Sequence, residues 1–344
     1  MPRRRGDGHR VVRWLWTSRT VAARVARFAL LPASFLWQGV MAARRITYQR
    51  GWMATHRLPL PTIAVGNLSV GGSGKTPIAS WIAAYFQERG VRPSVLLRGV
   101  GGDEPAVHRD LVPSAIVVAN PDRQAGAVRA VAEGAQVLVL DDAYQRLDIQ
   151  RDLNICLVSA ESSQAVRWSL PAGPWREQLT AIDRADFVIV TRKRADLRTA
   201  ERLADGLHQR AQVPVAIAHL DLAGLRGLVS RKSQPIEILR NRRVVAASAI
   251  ADPDAFVTQV KRTGAQVQVA TWKDHHQFRD EDIAWLAHAA RRADFVVVTA
   301  KDAVKLQDRW PASVPEPLVA ILQVTFEAGE NELQAALDRV VPRH

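Results

Sequence analysis

From Leu60 onward, short apolar runs alternate with stretches whose apolar positions recur at helical spacing. That alternation predicts βα units around a mainly parallel sheet. The strands expected from it are 62–65, 94–97, 115–119, 136–140, 153–158, 187–191 and 213–218, with helices at 78–87, 122–133 and 197–210. Residues 221–243 break the rhythm with Gly224, Gly227, Pro235 and a basic cluster, which reads as an inter-domain connection. A second, smaller α/β unit follows, with strands 244–249, 266–271, 295–299 and 321–326 and helices 254–262, 280–292, 302–307 and 330–340. Ahead of all this, residues 28–43 carry no charge and are flanked by Arg24, Arg27, Arg44 and Arg45. Four segments are therefore expected: 1–57 as a helical, basic and aromatic leader, 58–220 as the main α/β domain, 221–243 as the connection, and 244–344 as the C-terminal α/β domain.

The first expected strand runs into Gly66-Asn67-Leu68-Ser69-Val70-Gly71-Gly72-Ser73-Gly74-Lys75-Thr76-Pro77, and a helix pattern begins directly after it. A glycine-rich turn between strand and helix lets backbone N–H groups converge on phosphate oxygens, and the helix start adds partial positive charge. Gly71, Gly72, Ser73 and Gly74 would form that cradle, Lys75 would reach the β/γ-phosphates, and the Thr76 hydroxyl would face Mg²⁺. The strict GxxxxGK[ST] pattern asks for glycine where Ser69 stands, but the strand–loop–helix setting outweighs that single departure. An ordinary Gly-rich turn would not account for Gly-Lys-Thr at such a junction. The fold expected is thus α/β, a P-loop NTPase-like domain with a mainly parallel sheet plus a second smaller α/β domain, preceded by a membrane-associated helical segment.

Composition sharpens the picture in three places. A chain of 344 residues with 47% hydrophobic residues can fill two cores. Its one cysteine, Cys156, excludes an internal disulfide and lies in an apolar run, so it reads as a buried strand residue in a reducing compartment. The net charge of +13 would suggest nucleic acid, yet twelve of the 47 basic residues and only one of the 34 acidic ones fall within 1–57. The rest of the chain is close to neutral, which argues against a nucleic-acid partner. Arginines with Trp14, Trp16, Trp37, Tyr48 and Trp52 around a short apolar stretch suit a segment lying among the headgroups of an anionic leaflet. A secretory signal would need a shorter charged leader, and export would part the nucleotide loop from its ligand. A helical arm packed on its own domain is the other reading.

Ligands of open α/β sheets sit at the carboxyl ends of the strands, so polar residues there are the candidates for chemistry. The strand at 136–140 ends in Asp141-Asp142, an apolar run followed by acid as in a Walker B element, and either carboxylate could hold Mg²⁺ directly or through water. The strand at 94–97 ends in Arg98-Gly99-Val100-Gly101-Gly102-Asp103-Glu104-Pro105. Arg123 opens the next helix, Leu170 to Glu177 form a stiff loop containing Arg176, and Asp274-His275-His276-Gln277-Phe278 follow a strand of the second half. Two NTPase classes drop out. Thr191-Arg192-Lys193-Arg194 does not supply the Asn/Thr-Lys-x-Asp element of a GTPase, and Val70 stands where ParA-like ATPases carry a lysine.

Taken in order, GNLSVGGSGKTP, GDEP at 102–105, Asp122-Arg123, Asp141 to Gln145 with Arg151-Asp152, LPAGPWRE at 170–177, DHHQF at 274–278 and TAKDAVK at 299–305 resemble the tetraacyldisaccharide 4'-kinases of lipid A biosynthesis. The resemblance runs from about residue 25 to the C-terminus. It implies transfer of the ATP γ-phosphate to the 4'-hydroxyl of a tetraacylated glucosamine disaccharide 1-phosphate. The cofactors would be ATP and Mg²⁺, the partners the lipid acceptor and a membrane surface, with no nucleic acid and no protein partner. The place expected is the cytoplasmic face of the inner membrane, held peripherally. By motif, Lys75 and Thr76 serve nucleotide and metal, and Asp103 is the base for the sugar hydroxyl, assisted by His275 from the second domain. Glu104, Asp141 and Asp142 join Thr76 in the metal and phosphate shell, with Arg123 and Glu177 lining the site. Domain closure would then be a condition for turnover.

The chain departs from the family pattern at Leu97-Arg98-Gly99-Val100 in place of Ser-Arg-Gly-Tyr, at Ala143 after the paired aspartates, at Ile250-Ala251-Asp252-Pro253, and at Ala300 in place of glutamate. None of these removes a residue assigned to chemistry. They leave one rival, a catalytically silent relative that binds nucleotide and membrane as a scaffold.

Overall fold

A computed structural model describes residues 7–99, 102–163 and 168–341. Val100 and Gly101, which precede Asp103 in the sequence, and Arg3, Arg4 and Arg5 of the basic leader, lie outside the described residues. In chain order the elements are helices α1 (Asp7–Thr17) and α2 (Val21–Gln49), β1 (Thr62–Asn67), α3 (Lys75–Glu88), β2 (Pro93–Leu97), α4 (Asp103–Leu111), β3 (Ile116–Ala119), α5 (Arg123–Ala132), β4 (Val137–Asp141), β5 (Leu153–Ser159), α6 (Ala160–Ser163), β6 (Phe187–Arg192), α7 (Leu197–Ala211) and β7 (Val215–Gly227). They continue with β8 (Ser233–Gln234), β9 (Arg243–Ser248), α8 (Pro253–Arg262), β10 (Gln266–Thr271), α9 (Asp280–Ala290), β11 (Phe295–Thr299), α10 (Ala300–Leu306), β12 (Leu318–Ala328) and α11 (Glu330–Val340).

Two compact units result. The larger comprises Arg10–Val100, His108–His219 and Val324–His344; the smaller gathers Met1–His9, Gly101–Val107 and Leu220–Gln323. In the larger unit the strand order is β7-β6-β5-β1-β4-β2-β3, and every one of these neighbours runs parallel. All six residues of β1 are buried, which is why they read as an unbroken apolar run and not as an alternating one. Register puts Val65 of β1 opposite Asp141 of β4, so the strand that feeds the glycine-rich loop delivers it beside the paired aspartates. On one face of the sheet Leu96, Val118, Leu138 and Leu140 pack under α5 and Val158, Val188, Val190 and Ile217 under α7, while Val95, Leu97 and Val117 pack with Ala83 of α3 on the other.

The 29-residue helix α2 belongs to this larger unit and is fastened to it by one polar stripe. Ser34 Oγ donates to the Ser169 carbonyl (3.0 Å) and accepts from the Ala172 N–H (3.1 Å). Gln38, one turn on, donates to Ser169 Oγ (2.9 Å), Trp37 to the Arg176 carbonyl (2.8 Å), and Arg44 to the Gln145 carbonyl (3.2 Å). The opposite stripe, Val21, Val25, Phe28, Phe35, Leu36 and Val40, is exposed. At 1.5 Å per residue the helix is about 43 Å long.

In the smaller unit β10-β9-β11-β12 form a parallel sheet, and β8 pairs antiparallel with the far end of β7. Trp272, Phe278, Leu286, Val298 and Leu306 fill one side of it and Phe256, Val260, Val297 and Leu318 the other.

Three stretches differ from what the residue pattern suggests. Residues 103–111, for which no helix was expected, form α4: Asp103 and Glu104 sit in its first turn, where carboxylates suit the helix dipole and Pro105 is tolerated. Helix α3 begins at Lys75 and not at Ile78, with Gly74 at its N-cap in the left-handed region. Strand β7 runs nine residues past Ala218 into the stretch taken as a connection, burying Leu220, Leu222 and Leu225.

Candidate functional site

The turn between β1 and α3 needs glycine for a physical reason at two places: Gly71 and Gly74 have φ of 130° and 83°. Around it the chain builds a brace. Val70 N–H donates to the Pro174 carbonyl (2.7 Å), and Arg176 N–H to the Leu68 carbonyl (2.8 Å), so the stiff loop 170–177 clasps one side. On the other side, Thr191 Oγ1 at the end of β6 donates to the Ser73 carbonyl (2.9 Å), and Lys193 Nζ to the Gly72 carbonyl.

Helix α3 presents Lys75 and Thr76 at the mouth of this turn. Lys75 Nζ donates to Asn67 Oδ1 (3.3 Å) and lies 3.3 Å from Asp142 Oδ1. Thr76 Oγ1 donates to Asp141 Oδ2 (3.3 Å). Asp142 has φ of 53°, a left-handed conformation that aspartate tolerates better than most side chains. Its Oδ1 also lies 3.5 Å from Arg176 Nη1. Arg123 is buried behind the aspartates, its Nη1 donating to the Asn120 carbonyl (3.2 Å) and its Nη2 to the Asp141 carbonyl (3.3 Å). Burial, with Arg146 nearby, pulls its guanidinium down to about 10.

Glu177 is placed differently. Its two oxygens take a bidentate bond from Arg184 (2.8 and 3.0 Å), whose guanidinium also lies over the Tyr144 ring. That pair holds the end of the clasping loop.

The smaller unit carries a second cluster. Asp103 is 2% exposed, and His275 Nδ1 and Lys305 Nζ each lie 3.6 Å from its Oδ2. His275 has φ of 57°, in the left-handed region. His276 instead bonds Asp282 (2.8 Å), which also accepts from Trp272 Nε1 (2.9 Å), so that second histidine locks the loop. Lys305 Nζ lies 3.5 Å from Asp302 Oδ1, and Asp302 Oδ2 accepts from Thr299 Oγ1 (2.6 Å) and the Ala249 N–H (3.0 Å). Burial raises the Asp302 carboxyl above its ordinary range. Glu104 pairs with Lys301 Nζ at 2.8 Å.

The candidates therefore fall into two sets, Lys75, Thr76, Arg123, Asp141 and Asp142 in one unit and Asp103, Glu104 and His275 in the other. Residues that the sequence reading passed over stand beside them: Lys305 and Asp302 next to Asp103, Thr191 and Lys193 on the glycine-rich turn, and His108 against Asp141. The i, i+3 spacing of Asp302 and Lys305 on an expected helix was a usable signal for the first pair. Nothing in the local pattern marked His108, since its helix was not expected.

Comparison with known proteins gives the family of the chain. The family profile described as Tetraacyldisaccharide-1-P 4'-kinase (LpxK) matches residues 26–105 and 100–342. The Tetraacyldisaccharide 4'-kinase of Geobacter sulfurreducens is 32% identical over 345 residues, covering 93% of this chain and 95% of its own. That of Anaeromyxobacter sp. (strain Fw109-5) is 34% identical and covers 97% of both. Among solved structures, LpxK from Aquifex aeolicus in complex with ATP superposes with a TM-score of 0.70 at 27% identity, over 92% of this chain and 99% of that one. With the profile matched from residue 26 almost to the end and relatives above 30% identity along the same length, the chain belongs to the tetraacyldisaccharide 4'-kinase family, ATP-dependent enzymes of lipid A biosynthesis.

Proposed function

We propose that the two clusters divide the work of the 4'-kinase reaction, phosphorylation of tetraacyldisaccharide 1-phosphate by ATP. In the larger unit the amides of 71–74 and the Lys75 ammonium hold the β- and γ-phosphates. The observation that carries this reading is the convergence of Lys75 on Asp142 (3.3 Å) and Thr76 on Asp141 (3.3 Å) at the mouth of the glycine-rich turn.

A hydroxyl and carboxylates are hard oxygen donors, which fits Mg²⁺, and among the described residues no group of three or more His, Cys, Asp or Glu forms an all-protein cage. That also fits Mg²⁺, which keeps waters and phosphate oxygens in its shell. Thr76 and Asp141 would hold it, with Asp142 beside the phosphates; bound there it neutralises charge on the transferred group. Glu104, expected in the metal and phosphate shell, pairs with Lys301 in the smaller unit, and Arg123 and Glu177 support the site by holding the Asp141 turn and the clasping loop.

In the smaller unit Asp103 takes the proton of the 4'-hydroxyl as its oxygen bonds the γ-phosphorus and the bond to the ADP oxygen breaks. His275 and Lys305 steady the carboxylate before that transfer. A positioned base contributes about 10²–10⁴-fold. The exposed stripe Val21, Val25, Phe28, Phe35, Leu36 and Val40 rests on the cytoplasmic face of the inner membrane, where the acceptor's acyl chains are.

The test is direct. Protein, Mg²⁺-ATP and tetraacyldisaccharide 1-phosphate in detergent should give a lipid heavier by one phosphate. Lys75→Ala should abolish the product; full activity in that variant would overturn the loop assignment, and no product from the wild type with nucleotide still bound would favour a scaffold. Deleting residues 1–45 should release the protein from anionic vesicles, and unchanged sedimentation would overturn the membrane contact.

A further inference from the structure

Behind the Thr76–Asp141 pair a chain of hydrogen bonds links four side chains in the larger unit. Thr76 and Ser80 stand one turn apart on α3. Thr76 Oγ1 donates to Asp141 Oδ2 (3.3 Å), His108 Nε2 lies 3.0 Å from the same oxygen, and His108 Nδ1 lies 2.8 Å from Ser80 Oγ. All four are buried, and His108 is 0% exposed. An ionised carboxylate has only lone pairs to offer, so the His108 nitrogen facing it carries a proton. The ring nitrogen on the far side is taken by Ser80. A histidine in an apolar core would satisfy its two nitrogens with a backbone carbonyl and a backbone N–H, or with water, as readily as this; here one is spent on the very oxygen that Thr76 touches.

We infer that His108 is a positioning residue for the metal–nucleotide site. Its Nε2–H, anchored through Ser80, fixes the rotamer of Asp141 so that the carboxylate stays aimed past Thr76 toward the phosphates. Without it Asp141 Oδ2 keeps the threonine hydroxyl but loses a buried, directed donor, and the carboxylate can swing on its χ angles. Removal of such supporting partners behind a ligating group typically lowers metal affinity about 10–100-fold. This rests on the assignment of Asp141 to Mg²⁺ made above.

The experiment measures binding without turnover. Affinity for a non-hydrolysable ATP analogue is determined with and without Mg²⁺, and Mn²⁺ uptake by the protein–analogue complex is followed by electron paramagnetic resonance. Wild type should bind the analogue more tightly with Mg²⁺, and Asp141→Asn should lose that gain; if either fails, the metal assignment falls, whatever His108 does. Given both, His108→Leu should weaken Mn²⁺ uptake about 10-fold or more while leaving metal-free analogue affinity within about 2-fold. His108→Gln, which keeps a donor for Asp141, should recover most of the loss. Unchanged Mn²⁺ affinity in a folded His108→Leu protein, or equal loss of metal-free and metal-bound affinity, would overturn the inference. Should His108→Leu not fold, Ser80→Ala and His108→Gln decide it: weaker Mn²⁺ uptake in the first with near-normal uptake in the second supports the anchored relay, and normal uptake in both sinks it.

Discussion

Lys305 Nζ lies 3.6 Å from Asp103 Oδ2 and 3.5 Å from Asp302 Oδ1, with the lysine side chain 5% exposed and the two carboxylates 1% and 0%. One ammonium therefore stands between two buried acids of the smaller unit. Taking that cation away leaves charge buried without compensation, which costs far more than the pair contributes when intact. Lys305→Met should destabilise the protein by about 3–5 kcal/mol in urea denaturation. It should also lower kcat, because Asp103 loses the neighbour that holds its carboxylate in place. A variant with wild-type stability would mean that solvent already compensates the acids.

The turn after β4 must come close to β1, and Gly66 is where it does. A Cβ on Gly66 would meet Tyr144 N at 2.6 Å and Tyr144 Cβ at 2.7 Å, both closer than real contacts allow. The neighbour that would have to move is backbone, two residues beyond Asp142. Gly66→Ala should cost about 1–3 kcal/mol as an overpacked core. ATP-analogue affinity should fall with it, since the displaced turn carries the partner of Lys75. Calorimetric titration alongside denaturation separates the two effects; a stable variant with normal affinity would contradict the tight approach.

Cys156 lies in β5 against Tyr144 with no exposed surface. Burial pushes its thiol up to about 12, so at neutral pH it is protonated as well as covered. Alkylation by iodoacetamide at pH 8 should leave the native protein unlabelled, while guanidinium-unfolded protein should take up one label per chain. Rapid labelling of native protein would mean that β5 opens on the timescale of the reaction.

How far the residues alone announce this molecule depends on whether the signal is local. Strand β1, the glycine-rich turn and Asp141-Asp142 are legible because a fully buried parallel strand writes an apolar run and a phosphate cradle writes its glycines in sequence. Helix α4 is not, because Gly102-Asp103-Glu104-Pro105 has the chemistry of a turn and of a helix start at once. That ambiguity hid His108, whose partners Ser80 and Asp141 are 28 and 33 residues away along the chain. Glu177 shows the converse: its motif pointed to the site, and its oxygens go to Arg184. Long-range hydrogen bonds between single polar residues leave no periodicity to read.

Glu161 shows how such a bond braces the glycine-rich turn from a distance. Its Oε1 accepts the N–H groups of Lys193 (2.8 Å), Arg194 (3.0 Å) and Ala195 (3.1 Å), and its Oε2 accepts from Ser159 Oγ (2.7 Å). Lys193, held by this turn, donates to the Gly72 carbonyl. Burial works against the charged form, but the four donors outweigh it and draw the carboxyl from 4.5 down to about 2. A carboxyl whose folded value lies below its unfolded one stabilises the fold above the unfolded value and loses that contribution as pH falls toward the folded one. Wild type should therefore exceed Glu161→Gln in stability by something on the order of 2–3 kcal/mol at pH 7. The difference should hold down to about pH 4.5 and shrink steadily between there and pH 2. Urea denaturation at pH 7, 4.5 and 3.5 reads it out. A difference that stays constant across that range would assign the loss to the amide's shape, and not to the charge on which the Lys193–Gly72 brace depends.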